Sequence, residues 1–240
     1  MPKVLSLVGA KGGTLKTAST AAIAHVVAKA GLRVVMIDGD PQADLTSRSG
    51  FERVFDPLAS PPVTVAFDGE PELPLQLLRG GRSMEAADFD AAVRQVERAI
   101  ALGPDLVVID TPPALGPITT AAIRTADLVL VPAVPGKESL ERINDILAAA
   151  RAHSAAPVRV FITLANRRSN LVQWMRDEVD RHYPGLRVEH VVPFEVSAAE
   201  AALYEQPVTV YSPRSNNALA FHSLALEMLD VLVPPAADDA

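Results

Sequence analysis

Three short stretches carry the residue types that phosphate chemistry needs. The first is Lys11-Gly12-Gly13-Thr14-Leu15-Lys16-Thr17, which follows the apolar run Val4-Leu5-Ser6-Leu7-Val8 and opens an alanine-rich helical pattern reaching about Ala30. Glycines let a loop approach phosphate oxygens closely and adopt backbone angles that a Cβ would penalise. The N–H groups of such a loop and of the first helical turn converge on an anion. Lys16 adds a charge that can reach β- and γ-phosphates, and Thr17 a hydroxyl for magnesium. The stretch departs from the general pattern G-x-x-x-x-G-K-[ST], whose glycines would fall at Ala10 and Leu15. The second stretch is Asp38-Gly39-Asp40-Pro41-Gln42, closing the apolar run Val34-Val35-Met36-Ile37. The third is Asp110, closing Leu106-Val107-Val108-Ile109 and followed by Thr111-Pro112-Pro113. Carboxylates delivered by the ends of buried strands suit metal-linked water control in phosphoryl transfer. Asp38 and Asp110 are therefore metal candidates beside Thr17, Asp110 directly or through water. Each stretch alone also has a plainer reading, as a glycine turn, an Asp-rich turn or a strand ending in a turn residue.

Positioning these groups requires strands and helices in alternation, and the chain supplies them. Leu128 to Val131, Val158 to Leu164 and Val188 to Val192 read as buried strands. Helices are predicted from about Ser139 to Ala152, Asn170 to His182 and Asn216 to Leu232. Ala87 to Leu102 has helical spacing, with Phe89, Ala92, Val93, Val96 and Ile100 on one face and Gly103-Pro104 as its stop. Between Ala43 and Gly81, prolines break any long element, leaving short extended pieces at Val63 to Ala66 and Leu73 to Leu78. Val208 to Tyr211 reads as a short additional strand. This alternation predicts an α/β fold, a doubly wound, mostly parallel sheet with helices on both faces. One domain is expected over 1–233, with an acidic, disordered tail at 234–240.

The 240 residues are 49% hydrophobic and 21% charged, enough for one substantial core. No apolar run approaches the roughly 18 to 20 residues of a membrane span, and Met1-Pro2-Lys3 leads straight into a strand, so a cytoplasmic protein is expected. The absence of cysteine excludes disulfides, thiolate metal sites and iron–sulfur ligation. A net charge of −7 speaks against broad attraction to nucleic acid. The five histidines show no ligand spacing and read as structural or surface residues; Trp174 reads as packing.

Lys-Gly-Gly-x-x-Lys-Thr, with its lysine before the paired glycines, resembles the deviant phosphate loop of the ParA/MinD superfamily of dimeric ATPases. Asp38 to Gln42 is similar to that family's Asp-x-Asp-Pro-Gln, and Leu106 to Asp110 to its metal-binding strand, in the family's order and spacing. Weaker likenesses at Phe161-Ile162-Thr163, Val192-Pro193, Glu200-Ala201 and Tyr211-Ser212-Pro213-Arg214-Ser215 extend the resemblance to the ParA/Soj branch over nearly the whole chain. The resemblance implies ATP and Mg2+ as ligands, with Gly12, Gly13, Thr14, Leu15, Lys16 and Thr17 around the phosphates. Ala18, the next position, brings no hydroxyl. Asn166 and Pro193 are implied as contacts to the base, Asp40 as the group that positions the attacking water, and Lys11 as a residue crossing a homodimer interface to the other subunit's nucleotide. Slow hydrolysis, stimulated by a ParB-like or other activating protein, is implied too.

Departures from the family pattern qualify these expectations. Leu15 stands where glycine is commoner. After Pro193, where the family carries basic residues for DNA, this chain has Phe194, Glu195 and Ser197, so non-specific DNA binding is expected to be weak and to rest on Arg167, Arg168 and Arg214. Nucleoid association depends on those contacts. The first strand starts near residue 3, so no N-terminal DNA-reading domain and no operator-specific autoregulation are expected. The leading reading is a dimerising ATPase that positions or segregates a plasmid, a chromosome origin or a protein assembly. A membrane-cycling regulator like MinD is the alternative, disfavoured by the acidic, proline-broken C-terminus, which repels anionic lipid. A nucleotide-gated scaffold without turnover is the other, supported by Leu15 alone.

Overall fold

The computed structural model describes residues 1–9, 11–166 and 168–233. Arg167 and the expected tail at 234–240 lie outside the described residues. The amino-terminal part runs β1 (Lys3–Leu7), α1 (Lys16–Lys29), β2 (Val34–Asp38), α2 (Asp44–Arg48), β3 (Val63–Thr64) and β4 (Leu75–Leu78). A 3-10 turn at Arg82–Ala86 leads to α3 (Phe89–Ala101), β5 (Leu106–Asp110), α4 (Pro117–Thr125) and β6 (Leu128–Ala133). Then come α5 (Lys137–His153), β7 (Val158–Ala165), α6 (Leu171–His182), β8 (Arg187–Pro193), α7 (Ser197–Leu203), α8 (Val208–Tyr211) and α9 (Asn216–Leu232). The strands form one sheet in the order β3-β4-β2-β5-β1-β6-β7-β8, parallel except for β3 on β4.

Strand residues are apolar at consecutive positions because both sheet faces are covered. In β1, Leu5 and Leu7 enter the core that holds Ile23 of α1 and Phe221 and Leu224 of α9. Val4 faces the other way, onto Val96 and Ala99 of α3 and Ala122 of α4. Beyond β1, Val8 packs with Ile143 and Ile146 of α5. Helix α1 is buried at every residue but Thr17, Ala18 and Lys29. Its small side chains let it lie between sheet and α9, and each large apolar side chain so enclosed contributes about 1.5–3 kcal/mol. The chain leaves β1 for β2 on one side of β5 and reaches β6 on the other, so the switch in winding direction falls beside the β1–α1 loop. In open α/β sheets that crevice is where ligands bind.

Two expectations change. Val208 to Tyr211 is one helical turn, α8, not a strand. Its β-branched residues favour extended backbone locally, but Val208 and Thr209 are buried, and Thr209 Oγ1 lies 2.8 Å from Nδ1 of the fully buried His25. Tertiary contact outweighs propensity here. The stripe of α3 is rotated, with Gln95 and Ala99 buried and Ile100 37% exposed. Helices α2, α4 and α7, of 5, 9 and 7 residues, are too short for an apolar period to announce them. The piece at Leu73 to Leu78 is a true sheet member, β4, parallel to β2.

Candidate nucleotide site

The loop after β1 meets α1 without a side-chain cap. Asp88 and Ser215 cap α3 and α9 by accepting from Ala91 and Ala218 N–H groups, whereas Leu15, at the corresponding position of α1, accepts nothing. The first-turn donors of α1 are thus open to an anion. Leu15 itself sits at φ 65°, ψ 21°, in the left-handed region. That conformation costs an L-residue about 1–2 kcal/mol, which explains why glycine suits this position; here the leucine side chain recovers part by packing on the α1 core.

Lys16 lies over Gly9, a residue the sequence reading passed over. A Cβ on Gly9 would come within 3.0 Å of Lys16 Cδ, so glycine opens the lysine's path. Lys16 is 7% exposed, and its Nζ donates to the Lys11 carbonyl at 3.5 Å. Burial lowers its pKa, while Asp110 and Asp40 pull it back up. The groups on three separate strand ends therefore do converge.

Asp110 is fully buried at the end of β5, and among the described residues neither carboxylate oxygen has a hydrogen-bond partner within bonding geometry. Burial, reinforced by Asp38, pushes its carboxyl up to about 8, with Thr17 and Lys16 favouring the charged form. A fully buried carboxylate held only by Thr17 and Lys16 nearby is a poor structural group and a fitting ligand for a divalent cation, whose charge restores the ionised form. Among the described residues no group of three or more His, Asp or Glu forms a metal cage.

The two aspartates of β2 and its exit differ in what they touch. Asp38 Oδ2 accepts from Thr46 N–H at 2.8 Å and from Thr46 Oγ1 at 2.6 Å, and Oδ1 accepts from Asp40 N–H at 3.2 Å. Burial raises its carboxyl to about 6 despite these bonds. Oδ2 thus pins α2 to β2, and Oδ1 holds the turn at Asp40. Thr46, absent from the expected site, is the centre of this tie, since its Oγ1 also accepts from Gly80 N–H at 2.8 Å. Asp40 is half-buried, and its Oδ1 accepts from Gln42 N–H at 2.9 Å. Its other oxygen has no partner among the described residues.

Gly80 has no room for a side chain, because a Cβ there would lie 2.7 Å from Asp38 Cγ and 2.8 Å from Oδ2. Gly80→Ala is accordingly expected to lower stability by about 1–3 kcal/mol and to loosen α2. A denaturant titration checks the first effect, and an unchanged midpoint would mean that the close approach is not maintained.

Residues Gly12 to Ala18 line one side of a hollow of about 270 Å³; Asp40, Gln42, Asp44, Arg48 and Pro113 line the other. A second hollow, of about 380 Å³, lies beside the loop between Lys11 to Thr14 and Val134 to Ser139. Lys11 points there and not at the first hollow, its Nζ 2.6 Å from Glu138 Oε2 on α5, with both side chains mostly exposed. Asn166 and Pro193 stand at the ends of β7 and β8, with Ala165 paired to Pro193. They lie two and three strands from β1, or about 10 and 14 Å at the usual strand spacing, and line neither hollow. Asn166 Oδ1 accepts from Arg168 N–H at 3.0 Å. Arg168 and Arg214 are both exposed. Beside Arg214, Asn216 Nδ2 and Asn217 N–H donate to Glu195, so an acid occupies the loop after Pro193.

Comparison with known proteins gives the chain's family. A family model described as the CobQ/CobB/MinD/ParA nucleotide binding domain matches residues 5–208. The chain is 31% identical over 237 residues to the chromosome-partitioning ATPase Soj of Thermus thermophilus, covering 94% of each chain. It is 26% identical over 249 residues to the sporulation initiation inhibitor protein Soj of Bacillus subtilis, covering 95% of this chain and 98% of that one. The solved structure of the septum site-determining protein MinD from Pyrococcus horikoshii, complexed with Mg-ADP, matches with a TM-score of 0.79 over 95% of this chain and 96% of that one. At 21% identity that last likeness speaks for the fold alone. On the strength of the family match and the Soj relatives, the chain belongs to the CobQ/CobB/MinD/ParA nucleotide-binding family as a ParA/Soj-type member.

Proposed function

We propose that the protein is a Mg-ATP-dependent ATPase that dimerises around its nucleotides and positions or segregates a cargo. The observation that carries this reading is Asp110, a fully buried carboxylate whose oxygens find no partner within bonding geometry among the described residues, beside Thr17 and Lys16 at a loop whose helix donors are uncapped. In this reading the N–H groups of Gly12 to Thr17 and the Lys16 ammonium hold the phosphates. Thr17 and Asp110 would hold magnesium, which would supply charge to offset that of the phosphates. Asp38 keeps α2 and the Asp40 turn in place through Thr46. Asp40 accepts from the attacking water through its unpartnered oxygen, and Lys11 of a second subunit reaches the transferring phosphoryl group.

An activating partner protein, ParB-like or otherwise, completes the cycle in this reading, and the work is done in the cytoplasm. Among the described residues no helix is long and apolar enough to cross a membrane. DNA contact is weak in this reading, because Glu195 occupies the loop after Pro193, where the resemblance leads one to expect basic residues, and the expected contacts reduce to a few arginines, with Arg168 and Arg214 exposed among the described residues. Light scattering tests the central claim. The mass should double with a slowly hydrolysed ATP analogue and magnesium and stay monomeric with ADP; a nucleotide-independent mass would count against it.

A further inference from the structure

Arg48 is a cation that none of the roles above uses. It ends α2, the short helix that directly follows Asp40-Pro41-Gln42, and so the turn brings it back against the phosphate hollow. There it lines the wall opposite the glycine loop, with Asp40, Gln42, Asp44 and Pro113. It is half-buried, and among the described residues its guanidinium makes no salt bridge or side-chain hydrogen bond. Asp44, one turn earlier on the same helix and on the same wall, is the nearest competitor by spacing, yet the two do not close a bridge.

The backbone that carries Arg48 is tied down. Thr46 is tied to Asp38 by two hydrogen bonds and to Gly80 by a third, and Leu45 is wholly buried. Two residues further on, Arg48 has little freedom to leave the rim. Its charge is also needed. Asp40, Asp44 and Asp110 face or adjoin this hollow, Lys16 is the buried cation, and Lys11 is turned away to Glu138. A triphosphate entering here meets more carboxylates than cations. An arginine keeps its proton at any working pH, and its planar fork matches two phosphate oxygens at once.

We propose that Arg48 contacts the terminal phosphate of the bound nucleotide from within the same subunit and stabilises charge there as the phosphoryl group transfers. The proposal rests on the nucleotide reading above. It distinguishes ATP from ADP, since only ATP carries the group that Arg48 would touch.

The test compares the full-length parent, Arg48→Ala and Arg48→Lys for ATP and ADP affinity in magnesium, steady-state turnover and thermal midpoint. Arg48→Ala should bind ADP like the parent, bind ATP more weakly, and turn over more slowly by a factor on the order of 10 to 100. Arg48→Lys should recover part of that loss, because it keeps the charge without the fork. Parent-like turnover and a parent-like ATP-to-ADP affinity ratio in Arg48→Ala would overturn the assignment. So would an equal loss for ATP and ADP accompanied by a lower midpoint, which would make Arg48 a packing residue, or an Arg48→Lys variant no better than Arg48→Ala. Lys16→Ala run alongside separates the two levels. A parent that binds no ATP, or binds it no better than Lys16→Ala, sinks the nucleotide reading and this one together, whereas an active parent with a silent Arg48 sinks this one only.

Discussion

Asp40→Ala should bind Mg-ATP with an affinity within a few-fold of the parent and lose turnover by a factor on the order of 10² to 10⁴, the usual contribution of a positioned proton acceptor. The reasoning is geometric. Asp40 keeps one oxygen on Gln42 N–H and leaves the other without a partner on the wall facing the glycine loop. Removing a group that acts on water, and not on the phosphates, takes away an interaction made only in the transition state, so kcat falls while binding survives. If a dimer forms, it should persist, because its release waits on hydrolysis. Isothermal titration with ATP beside a phosphate-release assay separates the outcomes. Parallel loss of ATP affinity and turnover would instead mark Asp40 as a metal or folding residue. Asp38, whose oxygens are both engaged, should behave that way: replacing it would unpin α2 and cost stability.

Lys11→Ala should abolish the ATP-dependent doubling of mass and lower turnover about 10³-fold, by analogy with cations supplied in trans to transferring phosphoryl groups. In the single chain Lys11 contributes little to its own site. It lies beside the loop on Glu138, in a mostly exposed pair. Exposed pairs are worth up to about 1 kcal/mol, so this contact would not hold the lysine back when a second nucleotide site arrives. Glu138→Ala is the matching control, and should leave dimerisation intact or slightly favoured. A Lys11→Ala protein that doubles its mass as readily as the parent would show that the early lysine serves its own subunit's loop instead.

The chemistry was legible in the sequence because it is local. A glycine loop between an apolar run and a helix, with Lys16 and Thr17 at the junction, specifies an anion site through backbone donors that no distant residue has to supply. Asp38 and Asp110 end buried parallel strands and Asp40 stands two residues beyond β2, and strands alternating with helices must share one edge of the sheet, which is why the sequence points to these carboxylates as neighbours. Leu15 was visible as a departure, and its left-handed backbone gives the physical cost of it. What only the tertiary structure decided depends on pairs far apart in the chain. Thr46 holds Asp38 and Gly80 across 8 and 34 residues, giving one aspartate an anchoring contact with α2 that its sequence position does not announce. Lys11 meets Glu138 across 127 residues. His25 and Thr209, 184 residues apart, accompany the turn of helix α8 where propensity predicted a strand. Arg48 was one arginine among many until α2 set it on the rim of the phosphate hollow. Residue type and spacing carry a group's chemistry, but a side chain's partners are chosen by packing, where burial and hydrogen bonding between distant segments outweigh the preferences of neighbours in sequence.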